Sequence, residues 1–594
     1  MLIAKLLERF MQIDNIKVEK LKTDLLIIGA GTAGCFAAYE AKRLNPNIDI
    51  LILEKAHIDR SGCLAAGVNA INAYITPGQT PESFTEYVKK DSVDLIREDL
   101  VYSIAKEVNH VTDLLEKWGL PIPKDEKGQP YARGRGSIIV QGERIKPIIA
   151  QATKATKAKI INRIVVTNLI VSKNKVCGAF GFGIRDGKFY VVQAKAVLVA
   201  TGGASGIYKP NNEGNARHKI WYSPFNTGAG YAIGIRAGAE MTTFEMRYVS
   251  MRIKDLMAPT GAVAQGVKAQ QVNALGERYL EERYGHLGGR SMPTSMRLWA
   301  TLQENIEGRG PCFLDTTHLT KEQAERLQAY YLHMTPGLTL YWASRGTRPD
   351  IDPPEIVGTE PYIVGGHAQA GYWIDINRMS TIENLYAAGD VAGGAPKKYL
   401  SGAAAEGMIA ARDIVSKIKN IPETQIFEKD IKDDIKRVVH HMNRMGEVTS
   451  PILPDELELR MQKVMDEYAG GISSGYILNE QKLLKAKKYL KQLKEEVGAG
   501  SPCPNLHASN LHELNKCHEV IDRLDVASVL IEHLLYRKET RWPIYQSRAD
   551  YPNRDDKNWL KFVNSVYDQS KDEVKMLERE CSRRDVACNV SPGK

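Results

Sequence analysis

The sequence predicts an α/β protein with a split α/β domain, an inserted α+β domain and a helical carboxyl-terminal domain. Three observations support this prediction. An apolar run at 23–28 leads into a glycine turn and an apolar helix, two later apolar runs at 196–200 and 385–388 also end in glycine turns, and helical spacing with dense charge begins near residue 421. The expected bounds are 1–247 and 361–420 for the split domain, 248–360 for the inserted domain and 421–594 for the helical domain.

The glycine turn after residue 28 has the spacing G-x-G-x-x-G and opens a helix. Gly29 permits the tight turn, Gly31 lets the backbone approach a pyrophosphate, and Gly34 allows the helix to pack closely against the strand. A second apolar strand ends at Glu54, 20 residues beyond Gly34, which is the offset at which an acid meets a ribose. Strand, turn, helix and acid together predict a Rossmann-like dinucleotide site.

The two later glycine turns, at 200–203 and 388–390, are also of a kind that brings backbone N–H groups against a nucleotide. Because they lie far apart in the sequence, we infer one nucleotide domain assembled from separated segments. The interval at 248–360 has its own mixed pattern and is expected to form the lid of a cleft.

Composition narrows the class of protein further. The 594 residues include 43% hydrophobic and 25% charged residues, which is typical of a globular protein of several domains and excludes disordered or fibrous classes. The net charge of +9 favours an anionic ligand, although a surface excess of lysine explains it as well. Eight scattered cysteines without a C-x-x-C pair argue against a disulfide framework and against a metal or iron–sulfur site in this chain.

No stretch offers about 18 uninterrupted apolar residues, and Glu8 and Arg9 interrupt what would be the core of a signal peptide. We therefore expect a cytoplasmic protein that binds neither membrane nor nucleic acid.

Several strings of the chain match a known family in order. Beside the glycine turns these are the segments 59–62, 70–72, 116–121, 146–149, 226–230, 236–239, 252–255 and 537–543. With them the chain resembles the FAD subunits of the fumarate reductase and succinate dehydrogenase superfamily. Within that superfamily it is similar to the alpha subunits of adenylylsulfate reductases and related phosphoadenylylsulfate reductases, from about residue 23 to residue 568.

The resemblance implies a bound FAD. Where fumarate reductases and succinate dehydrogenases carry a histidine bonded to the flavin, this chain has Gly62, so the FAD is expected to be noncovalent. The expected FAD contacts are Gly29, Gly31, Ala33, Gly34, Glu54, Lys55, Ser61, Gly62, Ala200, Thr201, Gly202, Gly203, Gly389, Asp390, Ser401 and Ala403.

The resemblance also implies a substrate site at the flavin. Arg252, His367 and Asn72 are the expected catalytic residues, and Glu143 and Trp221 are expected to contact the substrate. A guanidinium offers paired donors to an oxyanion, and the charge of an imidazole depends on pH near neutrality. The implied reaction is attack of reduced flavin N5 on the sulfate sulfur, followed by release of sulfite from the flavin adduct.

These roles have plainer alternatives. Arg252 could pair with Asp255 or Glu245, His367 could simply be exposed, and Trp221 could equally be a core residue. Asn72 could cap a strand end, and Glu143 could be a surface acid.

Two departures from the family indicate an altered nucleotide pocket. The segment 259–271, which is aromatic and apolar in the family, is small and polar here, and an arginine expected shortly after Asn72 is missing. A larger pocket with Gln265 or Lys268 in reach could accept an added 3′-phosphate, which makes 3′-phosphoadenylyl sulfate a candidate substrate beside adenylyl sulfate.

Electrons must reach the FAD from another chain. The family uses a ferredoxin-like beta subunit with two [4Fe–4S] clusters, and the string at 537–543 suggests that the partner surface persists, in a heterodimer or a dimer of heterodimers. Two alternatives stay open: a fumarate reductase or succinate dehydrogenase type of dicarboxylate flavoprotein, which the missing His-Pro-Thr-Gly string disfavours, and a catalytically silent flavin electron carrier.

Overall fold

The computed structural model describes residues 16–134, 136–442, 451–497 and 506–581. The strands are β1 (Val18–Ile28), β2 (Ile50–Glu54), β3 (Ala70–Ile71), β4 (Ile138–Ile139), β5 (Lys159–Asn162), β6 (Ile164–Ser172), β7 (Lys175–Gly183), β8 (Phe189–Val199), β9 (Met241–Thr242), β10 (Met251–Ile253), β11 (Gln270–Val272), β12 (Cys312–Asp315), β13 (Glu355–Gly358), β14 (Gly371–Tyr372), β15 (Leu385–Ala387), β16 (Ile477–Leu478), β17 (Ser547–Arg548), β18 (Lys561–Asp568) and β19 (Glu573–Glu580).

The helices are α1 (Thr32–Leu44), α2 (Pro81–Asp91), α3 (Glu98–Ala105), α4 (Val108–Lys117), α5 (Ile145–Ala155), α6 (Ala229–Arg236), α7 (Tyr279–Glu282), α8 (Thr294–Ile306), α9 (Lys321–Leu332), α10 (Gly337–Ser344), α11 (Tyr399–Lys417), α12 (Glu428–Val439), α13 (Pro454–Tyr468), α14 (Glu480–Val497), α15 (Leu511–Tyr536) and α16 (Asp556–Trp559). Within the described ranges, no helix is both long enough and apolar enough to cross a bilayer.

The main sheet has the strand order β5-β2-β1-β8-β7-β6. Strands β5, β2, β1 and β8 are parallel, whereas β6, β7 and β8 pair antiparallel. The carboxyl half of β8 also pairs in parallel with β15, so β1, β8 and β15 end at the same edge of the sheet. The three glycine turns that follow these strands therefore meet, which confirms the predicted split domain.

The apolar runs of β1 and β2 are continuous because both faces of the sheet are covered at these strands. Residues 25–28 and 50–53 are all buried. Helix α11 crosses α1 so closely that a Cβ on Gly407 would lie 2.2 Å from the carbonyl oxygen of Ala33. This packing fixes the start of α1 beneath the first glycine turn.

The inserted region forms a second sheet with the order β10-β13-β12-β11, antiparallel throughout. Helices α8, α9 and α10 pack with it around a separate core that includes Leu314, Tyr331, Trp342 and Ile356, all fully buried. The segment 262–266 of this region is a single turn of π-helix.

The carboxyl-terminal region contains the long helices α12, α13, α14 and α15, as the sequence predicts. The side chain of Asn510 caps α15 by accepting hydrogen bonds from the backbone N–H groups of His512 and Glu513. The chain then forms the hairpin β18–β19, which the sequence analysis did not anticipate, and β18 pairs with β9 in the sheet β14-β9-β18-β19.

The prediction that residues 537–543 form a partner surface is wrong for most of the side chains in this string. Arg537, Glu539 and Trp542 are completely buried, and Arg541 is 2% exposed. Arg537 pairs with Glu539 at 2.8 Å, and the indole Nε1 of Trp542 donates to the carbonyl oxygen of Ser92 at 2.9 Å. Lys538 is the exposed residue of this string. The string is therefore part of the protein's interior, where its charges pair with one another.

Candidate active site

A cavity of about 1070 Å³ lies between the carboxyl edge of the main sheet and the inserted region. Gly29, Ala200 and Gly389 line it from the three converging turns, and Met251 and Gly261 line it from the inserted region. The arrangement follows from topology, because the carboxyl ends of strands beside a switch in strand order leave a crevice that binds ligands.

The first glycine turn has the geometry that the sequence predicts. Gly29 has a φ of +99°, a conformation that favours glycine, and a Cβ on Gly34 would lie 2.1 Å from the carbonyl oxygen of Gly29. A Cβ on Gly31 would meet no atom closer than 3.8 Å, so the space above this residue opens into the cavity. The backbone N–H of Ala30 donates to Oε2 of Glu54 at 2.8 Å, which joins the turn to the predicted ribose-binding acid.

This region fits a dinucleotide. Helix α1 begins at Thr32 without a side-chain cap, so its first N–H groups are available to a pyrophosphate. The hydroxyl oxygens of Thr201 and Thr227 are buried at the cavity wall, and neither has a hydrogen-bond partner among the described residues. Both are polar atoms that a bound cofactor would satisfy.

Most of the predicted FAD contacts line the cavity: Gly29, Gly31, Ala33, Glu54, Lys55, Ser61, Gly62, Ala200, Thr201, Gly202, Gly389, Asp390 and Ala403. Gly34, Gly203 and Ser401 do not. Gly34 lies in the contact between helix and turn, the N–H of Gly203 donates to the hydroxyl of Tyr222 at 2.9 Å, and the hydroxyl of Ser401 donates to the carbonyl oxygen of Ala73. These three residues lie behind the residues that line the cavity.

His367 lies at the cavity wall inside a group of aromatic rings. Its ring centroid is 4.8 Å from that of Trp221, 4.9 Å from that of Tyr248 and 5.0 Å from that of Tyr399. Burial and the nearby charge of Lys397 lower the pKa of His367 to about 3, so the imidazole is neutral at neutral pH, and its Nδ1 has no partner among the described residues. Trp221 is half-buried and also lines the cavity.

Asn72 lines the cavity and contacts an arginine that the sequence analysis did not identify. Its Oδ1 accepts hydrogen bonds from Nη2 of Arg133 at 2.5 Å and from Oγ of Ser137 at 3.2 Å. Arg133 is 8% exposed and lines the cavity as well. No motif marks this residue, because its turn has no helical or strand period and its neighbours come from distant segments.

Arg252 does not line the cavity. Its guanidinium is fully buried and donates to the carbonyl oxygens of Leu256, at 2.9 Å, and of Asn211. Side chains alternate between the faces of a strand, and in β10 it is Met251 that lines the cavity. The catalytic role of Arg252 therefore stays a prediction that this geometry does not support.

Three predicted substrate contacts differ in position. Gln265 lines the cavity from the π-helical turn. Lys268 is exposed and is not part of the lining. Glu143 is also exposed outside the cavity, where it pairs with Nδ1 of His333 from the inserted region at 2.9 Å.

The cavity wall carries more cations than carboxylates. The lining cations are Lys55, Arg60, Arg133, Arg290, Arg297 and Lys397, whereas the lining carboxylates are Glu54, Asp91 and Asp390. Lys397 and Asp91 pair at 2.8 Å, and burial raises the pKa of Asp390. The excess of positive charge favours an anionic occupant. Among the described residues, no three His, Cys, Asp or Glu side chains are grouped so that they could hold a metal ion.

Comparison with known proteins agrees with this geometry. The family described as "FAD binding domain" matches residues 24–404, and the family described as "Fumarate reductase flavoprotein C-term" matches residues 458–593. The adenylylsulfate reductase alpha subunit of Megalodesulfovibrio gigas is 32% identical, over 94% of this chain and 95% of that subunit.

Among solved structures, adenylylsulfate reductase from Archaeoglobus fulgidus is 36% identical with a TM-score of 0.91, over 96% of this chain and 98% of that one. An adenosine-5-phosphosulfate reductase in complex with sulfite, as a covalent adduct, has the same identity, coverage and TM-score. The quinol fumarate reductase flavoprotein of E. coli is 20% identical with a TM-score of 0.78, over 97% of this chain and all of that one, which shows a shared fold. The chain therefore belongs to the adenylylsulfate reductase alpha subunit family, a branch of the FAD-binding flavoproteins that includes fumarate reductase and succinate dehydrogenase.

Proposed function

We propose that this chain is the flavoprotein subunit that reduces adenylyl sulfate to sulfite and AMP. The observation that carries the proposal is that one basic cavity holds the FAD-binding turns together with Asn72, Trp221 and His367. The relative solved in complex with sulfite, as a covalent adduct, supports it, because sulfite is the expected product.

The reaction breaks the bond between the sulfate sulfur and the oxygen that bridges it to the phosphate. Two electrons convert sulfur(VI) to sulfur(IV), and AMP leaves with the bridging oxygen. FAD, when bound, supplies this electron pair. The task of the protein is to hold an anionic substrate in place, to exclude water and to stabilise the charge that builds up on the sulfate oxygens.

The described contacts support a role for two of the predicted residues. Oδ1 of Asn72 accepts two hydrogen bonds, which fixes the amide and leaves its nitrogen to donate to a substrate oxygen. Aromatic rings surround His367, and an arriving oxyanion would raise the pKa of its imidazole and so favour the protonated, donating form.

A second candidate substrate is 3′-phosphoadenylyl sulfate. Gly261, Ala262, Ala264 and Gln265 line the cavity with small or polar side chains, which leaves room for an added phosphate. Lys268 lies outside the lining, so the support for this substrate rests on space and on Gln265.

We further propose that electrons arrive from a ferredoxin-like beta subunit with two [4Fe–4S] clusters, in a heterodimer or a dimer of heterodimers. The name of the Megalodesulfovibrio relative, an alpha subunit, supports an assembly with a second kind of chain. Because the side chains at 537–543 are mainly buried, the contact surface for that subunit is expected elsewhere on the chain.

The test is product formation by the FAD-loaded chain with reduced methyl viologen as the electron donor. We expect sulfite and AMP in equal amounts from adenylyl sulfate, and the same assay with 3′-phosphoadenylyl sulfate decides between the two nucleotides. Reduction of fumarate without sulfite formation would instead support the dicarboxylate alternative. A flavin that is reduced but turns over none of these substrates would support the electron-carrier alternative.

A further inference from the structure

Arg133 is a buried cation at the cavity wall, and neutral groups accept hydrogen bonds from only some of its donors. Nη1 donates to Oδ1 of Asn69 at 3.2 Å and Nη2 donates to Oδ1 of Asn72. Nε is buried without a hydrogen-bond partner among the described residues. The backbone of Arg133 is fixed by its own turn, in which its N–H donates to the carbonyl oxygen of Ser137 at 2.8 Å.

No described carboxylate pairs with this guanidinium. Its contacts are the two amides, and the ionisable side chains close to it are Tyr330, Tyr331 and Tyr399. Two of the other cavity cations differ, since Lys397 has Asp91 and Lys55 has Glu519 as ion-pair partners. A buried charge without a counter-charge is unfavourable, and a ligand of opposite charge removes that cost.

The inserted region packs closely against Arg133. A Cβ on Gly261 would lie 3.2 Å from Nη2 of Arg133 and one on Gly266 would lie 3.7 Å from its Cγ, while Gln265 lines the cavity from the same turn. Arg133 thus lies between Asn72 on one side and the π-helical turn on the other, where an occupant of the cavity can approach it.

We propose that Arg133 binds the sulfate group of the sulfonucleotide at the reacting end of this site. The proposal rests on the proposed function, which assigns Asn72 to that end. A guanidinium forms paired, charge-assisted hydrogen bonds with an oxyanion, and Arg133 lines the cavity where it can form them, whereas Arg252 lies outside the cavity lining and donates to backbone carbonyls.

The test compares Arg133→Leu and Arg133→Lys with wild type and with Arg185→Leu, a control at an exposed arginine in the turn between β7 and β8. FAD content and melting temperature establish that each variant is folded. Sulfite is then titrated into the FAD-loaded protein and followed by flavin absorbance, and AMP, which lacks the sulfate group, is measured as a competitive inhibitor.

We expect Arg133→Leu to weaken sulfite binding by roughly 10- to 100-fold, the range for a lost charge-assisted hydrogen bond, with AMP inhibition changed less than about threefold. Arg133→Lys keeps the charge without the paired donors and is expected to be intermediate, and it decides the question if the leucine variant does not fold. Sulfite affinity within about threefold of wild type in both variants would overturn the proposal, as would an equal weakening of AMP.

A failure of the proposed function is distinguishable from a failure of the proposal for Arg133. If the wild-type protein binds sulfite but forms none from either sulfonucleotide, the reaction assigned above is wrong. The sulfite titrations of the Arg133 variants still decide whether this residue binds an oxyanion.

Discussion

Nη2 of Arg133 lies 2.5 Å from Oδ1 of Asn72, and this contact joins two segments that are 61 residues apart in the sequence. It brings together Asn72, which the family resemblance identifies, and Arg133, which no motif identifies. The pair also sets the electrostatics of this part of the cavity, because a neutral amide leaves the positive charge of Arg133 uncompensated.

Asn72→Asp should therefore inactivate the site without unfolding it. The new carboxylate has the size of the amide and would form an ion pair with Arg133, which cancels the charge that an oxyanion needs. We expect sulfite affinity to fall at least about tenfold, with FAD content unchanged. Sulfite titration of the FAD-loaded variant measures this, and an unchanged affinity would show that Arg133 does not act on the ligand. Asn72→Ala, which adds no charge, is the matched comparison.

Gly31→Ala and Gly34→Ala should separate cofactor binding from folding. The Cβ of the first variant lies 3.8 Å from its nearest neighbour and extends into the pyrophosphate space, so we expect a folded protein with little FAD. The Cβ of the second lies 2.1 Å from the carbonyl oxygen of Gly29, which should destabilise the fold by about 3 kcal/mol or more. Melting temperature and FAD absorbance distinguish the two, and equal FAD content in Gly31→Ala and wild type would contradict the assignment of this turn.

His367 should make the protein less stable in acid. Its folded-state pKa is about 3, below the ordinary 6.5, so folding favours the neutral imidazole. This contribution is fully present above pH 6.5 and is lost as the pH falls from 6.5 toward 3, by about 2 kcal/mol at pH 5. The groups that face the ring are Trp221, Tyr248, Tyr399 and the charge of Lys397.

Denaturant unfolding of wild type and of His367→Gln between pH 7 and pH 5 measures this effect. The glutamine variant should lose less stability over this range, because the other titrating groups are common to both proteins. Parallel curves for the two proteins would show that the imidazole is not buried as described.

Arg252→Gln should act mainly on stability. The arginine donates to the carbonyl oxygens of Leu256 and Asn211, and losing donors to buried carbonyls costs about 1–3 kcal/mol for each acceptor left unpaired. We expect a free energy of unfolding lower by about 3 kcal/mol, measured against Arg185→Gln at an exposed arginine. A variant with wild-type stability and turnover reduced more than about 100-fold would show instead that Arg252 reaches the substrate, as its family motif implies.

The sequence was sufficient to predict the structure where a local backbone requirement dictates the residue type. Gly29 is required by a positive φ, and Gly34 is required by a close helix contact. Such requirements produce a characteristic spacing of glycines that is visible in the sequence. The direction of Arg252 could not be predicted in this way, because it depends on which face of β10 turns toward the cavity. Arg133 is a third case, since its importance comes from tertiary neighbours at residues 69 and 72 and from the inserted region.

The hairpin at 561–580 shows a different limit. Apolar and charged side chains mix along this segment in a pattern that fits a helix as well as a strand. Only the pairing of β18 with β9 decides between helix and strand. Short segments with mixed patterns take the structure that their partner strand offers.

The pairing of β18 with β9 also sets an order of events during biosynthesis. Thr242 meets Asn564, so the ribosome must add about 320 residues after β9 before the strand that covers it exists. At roughly 5–20 residues per second this interval lasts about 15 to 65 seconds. Throughout it the edge of β9 that later pairs with β18 is open, and for most of it Glu245 also lacks the imidazole of His533, its neighbour at 3.0 Å in the finished protein. Nascent chains that stop short of this hairpin are therefore expected to be clients of chaperones.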